Sequence, residues 1–341
     1  MKEKQFRNKI TWFVFGFSIL VIWVHSYNAE LFLGKTAEAL VLDQIERFLG
    51  ETIGQIAVPG FFMISGYLFY RNFTMDRLQA KWSSRIKTVL VPYLLWNGIY
   101  YLGYVLGSRL PFVEEIVGKG KIPFHVLALA DALIHYTYNY VFWYLHQLIL
   151  LILLAPVIYV AVKKRVTAVV AMSLLAAAIG MQKTLPLLNL DALLYYFVAA
   201  FVAVHEKTFA EGIWNRRRGA AGIALIAGGY LLEILRMPMA NAGFSVLLRL
   251  MIPIGLWLLV PEWALPEAKE WMNNNFFIYA VHFAFVRLVN KTAAVLFFGN
   301  FFVPFLLYLV MPALVTAAAY WGALFLRKRM PPVWLVLTGG R

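Results

Sequence analysis

The chain has 341 residues, 62% of them hydrophobic and 14% charged, with a formal net charge of +14 and a mean hydropathy of +0.71. Soluble domains carry about 25% charged residues, so this composition excludes an ordinary water-soluble core, and it equally excludes a disordered chain. The absence of cysteine removes disulfides, thiolate zinc sites and cysteine nucleophiles, and says nothing about compartment.

Ten apolar stretches follow one another, near residues 11–27, 52–70, 88–107, 141–161, 166–182, 189–205, 218–235, 244–260, 275–298 and 300–326. Each has about the length that crosses a hydrocarbon core of about 30 Å. The expected fold is an all-α polytopic membrane protein, a bundle of about ten transmembrane helices forming one domain over residues 1–341. With the N-terminus placed in the cytoplasm, most Lys and Arg fall on that same side: Lys2, Lys4, Arg7 and Lys9, then Arg71 to Lys87, Lys163 to Arg165, Arg216 to Arg218, and Arg327 to Arg329. The positive-inside rule then predicts both termini in the cytoplasm of a multi-pass protein of the cell (plasma or inner) membrane. The basicity is a matter of topology, so nucleic acid is excluded as a partner and membrane lipids are expected.

The first stretch reads as a retained helix. It is long for a secretory apolar region, and no small-x-small cleavage site follows Tyr27. In the second, Pro59-Gly60 predicts a kink, and Ser65-Gly66 admits a close backbone or a narrow ligand. Small-residue helix packing is the commoner use of such a pair. Arg71, Arg77, Lys81, Arg85 and Lys87 come next, a density of cations that suits anionic lipid or a polyphosphate. Between the third and fourth stretches, Phe124 to Ile134 reads as a re-entrant or interfacial helix.

An ionisable side chain in mid-membrane costs about 2.5–3.5 kcal/mol on insertion scales, and chains that keep one use it or pair it. The candidates are His25, His146 with Gln147, Asp191, Glu233, Arg249, His282, Arg287, Asn290 and Lys291. Several fall in the expected outer half and can line one outward pocket. Structural readings stand beside that one. Arg249 and Glu233 suit an interhelical ion pair, Lys291 suits snorkelling, and His146, three residues after Trp143, suits an interfacial aromatic belt. His205 reads as boundary chemistry, and His282 suits a hydrogen bond to a neighbouring helix.

Taken in order, Val24-His25-Ser26, Phe61 to Leu68, Arg85-Ile86-Lys87 and Val91 to Trp96 form a pattern. It continues with Phe142 to Leu145, Pro156 and Phe277 to His282. This pattern resembles the acyltransferase 3 family of integral membrane acyltransferases from end to end. The resemblance implies transfer of an acyl group, commonly acetyl from acetyl-CoA, with acyl-CoA as co-substrate and no metal. The implied acceptor is a cell-envelope glycan or lipid-linked sugar. It implies His25 as the essential histidine, with Arg71, Arg85 and Lys87 for the donor. Ser65 is added to the donor set, and Asn97, His146, Arg249 and His282 are candidate pocket residues. Two positions depart from the family pattern: Val14, where many members are basic, and Thr88, where many have arginine. An imidazole is a suitable general base for activating a hydroxyl, so His25 is expected to act as base or as transient acyl carrier, with Arg249, Asn97 or Ser65 stabilising the oxyanion. The donor's pantetheine arm is expected to thread between the first two spans. A small-solute permease is the alternative, although no inverted pair of halves is visible. A non-catalytic envelope protein of the same fold is the third reading, kept open by Val14 and Thr88.

Overall fold

The computed structural model describes residues 1–341 except 112, 115–117, 119, 240, 241 and 341, and it leaves out the side chains at 233, 235–239 and 242–244. Glu233, paired with Arg249 in the sequence reading, therefore lies outside the described side chains. Among the described residues there are helices and turns and no strand. The helices are α1 (Glu3–Val24), α2 (Ala29–Leu33), α3 (Ala37–Arg47), α4 (Ala57–Tyr70), α5 (Leu78–Arg85), α6 (Val91–Gly107) and α7 (Val126–His135). They continue with α8 (Trp143–Leu153), α9 (Ala155–Val162), α10 (Arg165–Gly180), α11 (Leu190–His205), α12 (Lys207–Glu211), α13 (Arg216–Met239) and α14 (Ala242–Leu259). The last three are α15 (Asn275–Leu296), α16 (Phe302–Arg329) and α17 (Pro331–Thr338).

Each of the ten apolar stretches is occupied by helix. Among the described residues, four helical segments, Glu3–Leu33 (interrupted at residues 25–28), Ala37–Tyr70, Met75–Gly107 and Phe302–Arg329, are long and apolar enough to cross a bilayer, and α8 with α9 qualifies as a pair bent by 64°. The bend falls where Pro156, in the first turn of α9, has no N–H to donate to the preceding turn. The chain is an all-α membrane protein. The stretch from Phe124 to Ile134 becomes helical at Val126, where the His125 imidazole accepts the Ala128 N–H at 3.1 Å and caps α7. Thr36 caps α3 in the same way through the Ala39 N–H at 3.1 Å. The segment between Arg71 and Lys87 is mostly helical.

The chain divides into two compact units. The first comprises Met1–Val21, Thr52–Trp82 and Leu150–Met272; the second comprises Ile22–Glu51, Ser83–Ile149 and Asn273–Arg341.

In the first unit, small residues set the helix spacing. A Cβ on Gly66 would lie 2.7 Å from the Tyr196 carbonyl oxygen, so α4 rests directly on the backbone of α11. Gly222 and Gly255 bring α13 and α14 together in the same way. The Ser65-Gly66 pair is thus a packing device at Gly66. The kink expected at Pro59-Gly60 takes another form. The irregular turns lie just ahead of it, in a π turn (Phe48–Ile53) and a 3-10 turn (Gly54–Ile56), and Pro59 sits in the opening turn of α4. There its missing N–H leaves no gap in the helix. Gly60 makes room for the Phe17 ring, 2.2 Å from where a Cβ would stand.

In the second unit, Ala29, Phe32, Leu33, Ala39, Leu42 and Ala294 bury a core joining α2, α3 and α15. A second cluster around Tyr101, Val105, Ala128 and Ala132 holds α7 on α6.

Candidate active site

α1 ends one residue before His25. The Ser26 hydroxyl turns back onto the Ile22 carbonyl at 2.6 Å, and the chain is then clamped from two sides. On one, a Glu46 carboxylate oxygen accepts the N–H groups of Asn28 at 3.0 Å and Ala29 at 3.3 Å. On the other, the Asn28 amide donates to Asn290 Oδ1 at 3.3 Å and to the Pro304 carbonyl at 3.2 Å. Asn290 Nδ2 donates in turn to the Ser26 carbonyl at 3.1 Å. Ser26, Asn28, Glu46 and Asn290 are all buried. A buried carboxylate is tolerable only with donors of this kind, and a buried network of this sort fixes one backbone geometry. His25 is therefore held by its neighbours in sequence rather than by its own ring.

The ring itself is half-buried. Its Nδ1 lies 3.0 Å from the Tyr140 hydroxyl, and Tyr140 is 50% exposed, so the imidazole borders an accessible face. Phe283 packs edge-on against both rings, with centroids 5.9 Å from His25 and 4.6 Å from Tyr140. The His282 ring stands 5.3 Å from that of His25. Three elements thus meet: the end of α1, the turn Tyr140–Phe142 that opens α8, and the middle of α15. Tyr279, one turn before Phe283, locks the last two together. It stacks on Phe142 at 5.2 Å and donates to the Val141 carbonyl at 2.7 Å.

Of the residues expected from sequence, His25 and His282 come together. His146 and Asn97 gather instead around Tyr93. The His146 ring lies 6.4 Å from that of Tyr93 and 5.3 Å from that of Tyr136, and Asn97 is buried one turn beyond Tyr93 on α6. Arg85 and Lys87 belong to the same unit as these residues, whereas Ser65, Arg71 and Arg249 belong to the other. Arg71 is engaged: it contacts Glu211 at 2.7 and 3.0 Å, contacts Glu3 at 2.7 and 3.0 Å, and covers the Phe6 ring. A phosphate would have to displace a carboxylate there. Arg249 neighbours Asp191 and Tyr195 of α11 and hydrogen-bonds the Tyr195 hydroxyl. His205 holds the Val162 carbonyl at 2.7 Å, the boundary role expected for it.

Thr88 carries no cation, and its backbone is covered by Gly339, where a Cβ would lie 2.6 Å from the Thr88 Cα. Near the other departure, Val14, the buried Lys9 donates to the Trp257 and Val260 carbonyls at 2.6 Å each. It satisfies the end of α14, as a cation at a helix C-terminus does. Sequence reasoning passed over Tyr140, Glu46 and Lys9. Tyr140 carries no sequence signal beyond being aromatic, and Lys9 reads as one of the topological cations.

The first unit also holds a cavity of about 110 Å³ between α1, α4, α11 and α14, walled by Phe13, Phe17, Met63, Ile64, Pro253 and Trp257 among others. Its lining is almost wholly apolar. Hydrocarbon suits it, whereas amides would be buried there without partners at a cost of about 1–3 kcal/mol each.

An all-helical membrane chain with a half-buried imidazole, backed by a second and reached from an open face, is the class of protein on view. A family model described as an acyltransferase domain, acyltransferase 3, matches residues 15–325. The chain belongs to the acyltransferase 3 family. It is also 32% identical over 170 residues to the succinoglycan biosynthesis protein ExoH of Rhizobium meliloti. That match covers 47% of this chain and 44% of the relative, so the chain spans less than half the length of the curated protein it matches. No solved structure matches it.

Proposed function

We propose that the chain transfers an acyl group, acetyl from acetyl-CoA, to a hydroxyl of a cell-envelope polysaccharide or its lipid-linked precursor, as a multi-pass protein of the plasma or inner membrane. Membership of the family supports acyl transfer, and the succinoglycan relative supports a polysaccharide acceptor. The single observation that carries the reading is the His25 imidazole: held in place by buried hydrogen bonds, open on one edge and 3.0 Å from the Tyr140 hydroxyl.

Acyl transfer requires a hydroxyl made nucleophilic and a thiolate made to leave. With His25 as base, the acceptor oxygen attacks the thioester carbonyl carbon while its proton passes to the imidazole. Collapse of the tetrahedral intermediate breaks the C–S bond, and the same proton goes to the departing sulfur. With His25 as carrier, a ring nitrogen is acylated first, the thiol leaves with a proton, and the hydroxyl then takes the acyl group. Both routes need the same nitrogen at the same open edge. Arg85 and Lys87 are the cations proposed for the donor's phosphates, with Ser65 and, by exchange of a carboxylate, Arg71. Asn97, His146 and Arg249 are proposed for the pocket.

The test is purified protein incubated with radiolabelled acetyl-CoA and envelope polysaccharide from the host. Label on the polysaccharide is the expected result. Uptake into vesicles with no modified acceptor would replace the reading with transport, and neither outcome would leave a non-catalytic protein.

A further inference from the structure

His282 carries information that its neighbour lacks. Its Nδ1 lies 2.6 Å from the Tyr279 carbonyl oxygen. A carbonyl only accepts, so Nδ1 holds the proton, and in the neutral ring Nε2 must be the bare nitrogen. That nitrogen is fully buried and has no hydrogen-bond partner among the described residues. An unsatisfied buried acceptor is destabilising unless something supplies a donor. The other imidazole, with ring centroids 5.3 Å apart, is His25.

We propose that His282 is the positioning residue of the site: its bare Nε2 accepts the Nε2–H of His25, which leaves His25 Nδ1 as the basic nitrogen facing Tyr140. This rests on reading His25 as the base. The logic is that of acyl-transfer triads, where a third group accepts from one ring nitrogen so that the other is basic. Here a neutral imidazole takes the place of a carboxylate, and the backbone carbonyl of Tyr279 fixes its tautomer. Hydrogen bonds of this kind are often long in an unliganded site and shorten when substrate binds. Proton flow then balances. The acceptor's proton moves to the Tyr140 oxygen as the Tyr140 proton moves to His25 Nδ1. Tyr140 is regenerated, and His25 becomes an imidazolium whose Nε2–H points at a lone pair. His282 exchanges no proton.

Two substitutions separate this role from a structural one. His282→Asn places an amide N–H where Nδ1 was, so the bond to Tyr279 survives and the Nε2 acceptor is lost. His282→Gln places an amide oxygen near the Nε2 position and keeps the acceptor. In acetyl transfer from acetyl-CoA by the full chain, His282→Asn is expected to lower kcat about 100-fold, the scale of general-base assistance, with KM within about twofold. His282→Gln is expected to recover most of that loss. A second assay needs no acyl donor: the rate at which diethyl pyrocarbonate carbethoxylates His25, read by mass spectrometry, is expected to fall in His282→Asn and not in His282→Gln. Wild-type kcat and carbethoxylation in His282→Asn would overturn the proposal. If His25→Ala were inactive in that case, the parent reading would still stand. Slowed carbethoxylation alone supports the role of His282 even where acetyl-CoA proves to be the wrong donor.

Discussion

Asn290 Nδ2 donates to the Ser26 carbonyl at 3.1 Å, which ties the middle of α15 to the residue after His25. Because His282 lies two turns earlier on the same helix, this bond and the Glu46 clamp set the distance between the two imidazoles. Asn290→Ala and Glu46→Ala should each cost about 1–3 kcal/mol of stability through unpaired buried groups, visible as a lower Tm in detergent. Both should also lower the transfer rate more than the drop in folded fraction explains. Full activity of the folded fraction would show that the clamp does not govern the site.

Tyr140→Phe keeps the ring that packs on Phe283 and removes only the hydroxyl beside His25 Nδ1. The expected outcome is an unchanged Tm and a kcat reduced at least about tenfold, since a misaligned base forfeits much of its contribution. Steady-state kinetics on the purified variant would check it, and an unchanged kcat would remove Tyr140 from the proton path.

Gly66→Leu should be poorly tolerated. Its Cβ would meet the Tyr196 carbonyl oxygen at 2.7 Å and the Ala199 Cβ at 3.3 Å, so α4 and α11 must part, at a cost of about 1–3 kcal/mol or more. A reduced yield of folded protein by size-exclusion chromatography is expected, whereas Gly16→Leu, with nothing within 4 Å, should express normally.

Glu211 gives a pH test of the first unit. Burial alone would raise its pKa, but hydrogen bonds from Arg71 and Tyr67 and the Arg71 charge outweigh that and hold it below the ordinary value of 4.5. A carboxyl lowered in the folded state stabilises above its unfolded pKa, and that stability is lost as pH falls through the folded value. The Tm difference between wild type and Glu211→Gln should therefore be steady near neutrality and close on acidification below about pH 4.5. A gap that ignores pH would deny the ion pair its stabilising role.

The membrane helices were legible because hydropathy and length are local properties of sequence, and each of the ten stretches is helical. His25 and His282 were visible as polar residues in apolar helices. Their meeting was not, because it depends on which helix face turns toward which, and a single sequence carries no contact information. Tyr140 was hidden among many aromatics, and Glu46 lies outside the ten apolar stretches, where an acid draws no attention. The segment from Arg71 to Lys87 shows the opposite failure. A density of charge suggested one binding surface, yet Arg71 is engaged by Glu3 and Glu211, acids distant in sequence.

The central claim is that acyl transfer runs through a single ring. Compare wild type and His25→Ala, both verified as folded and membrane-inserted, for incorporation of radiolabelled acetyl groups into envelope polysaccharide. The account predicts that incorporation falls to background in His25→Ala while Tm and membrane yield stay at wild-type values. Incorporation at the wild-type rate in that variant would contradict it.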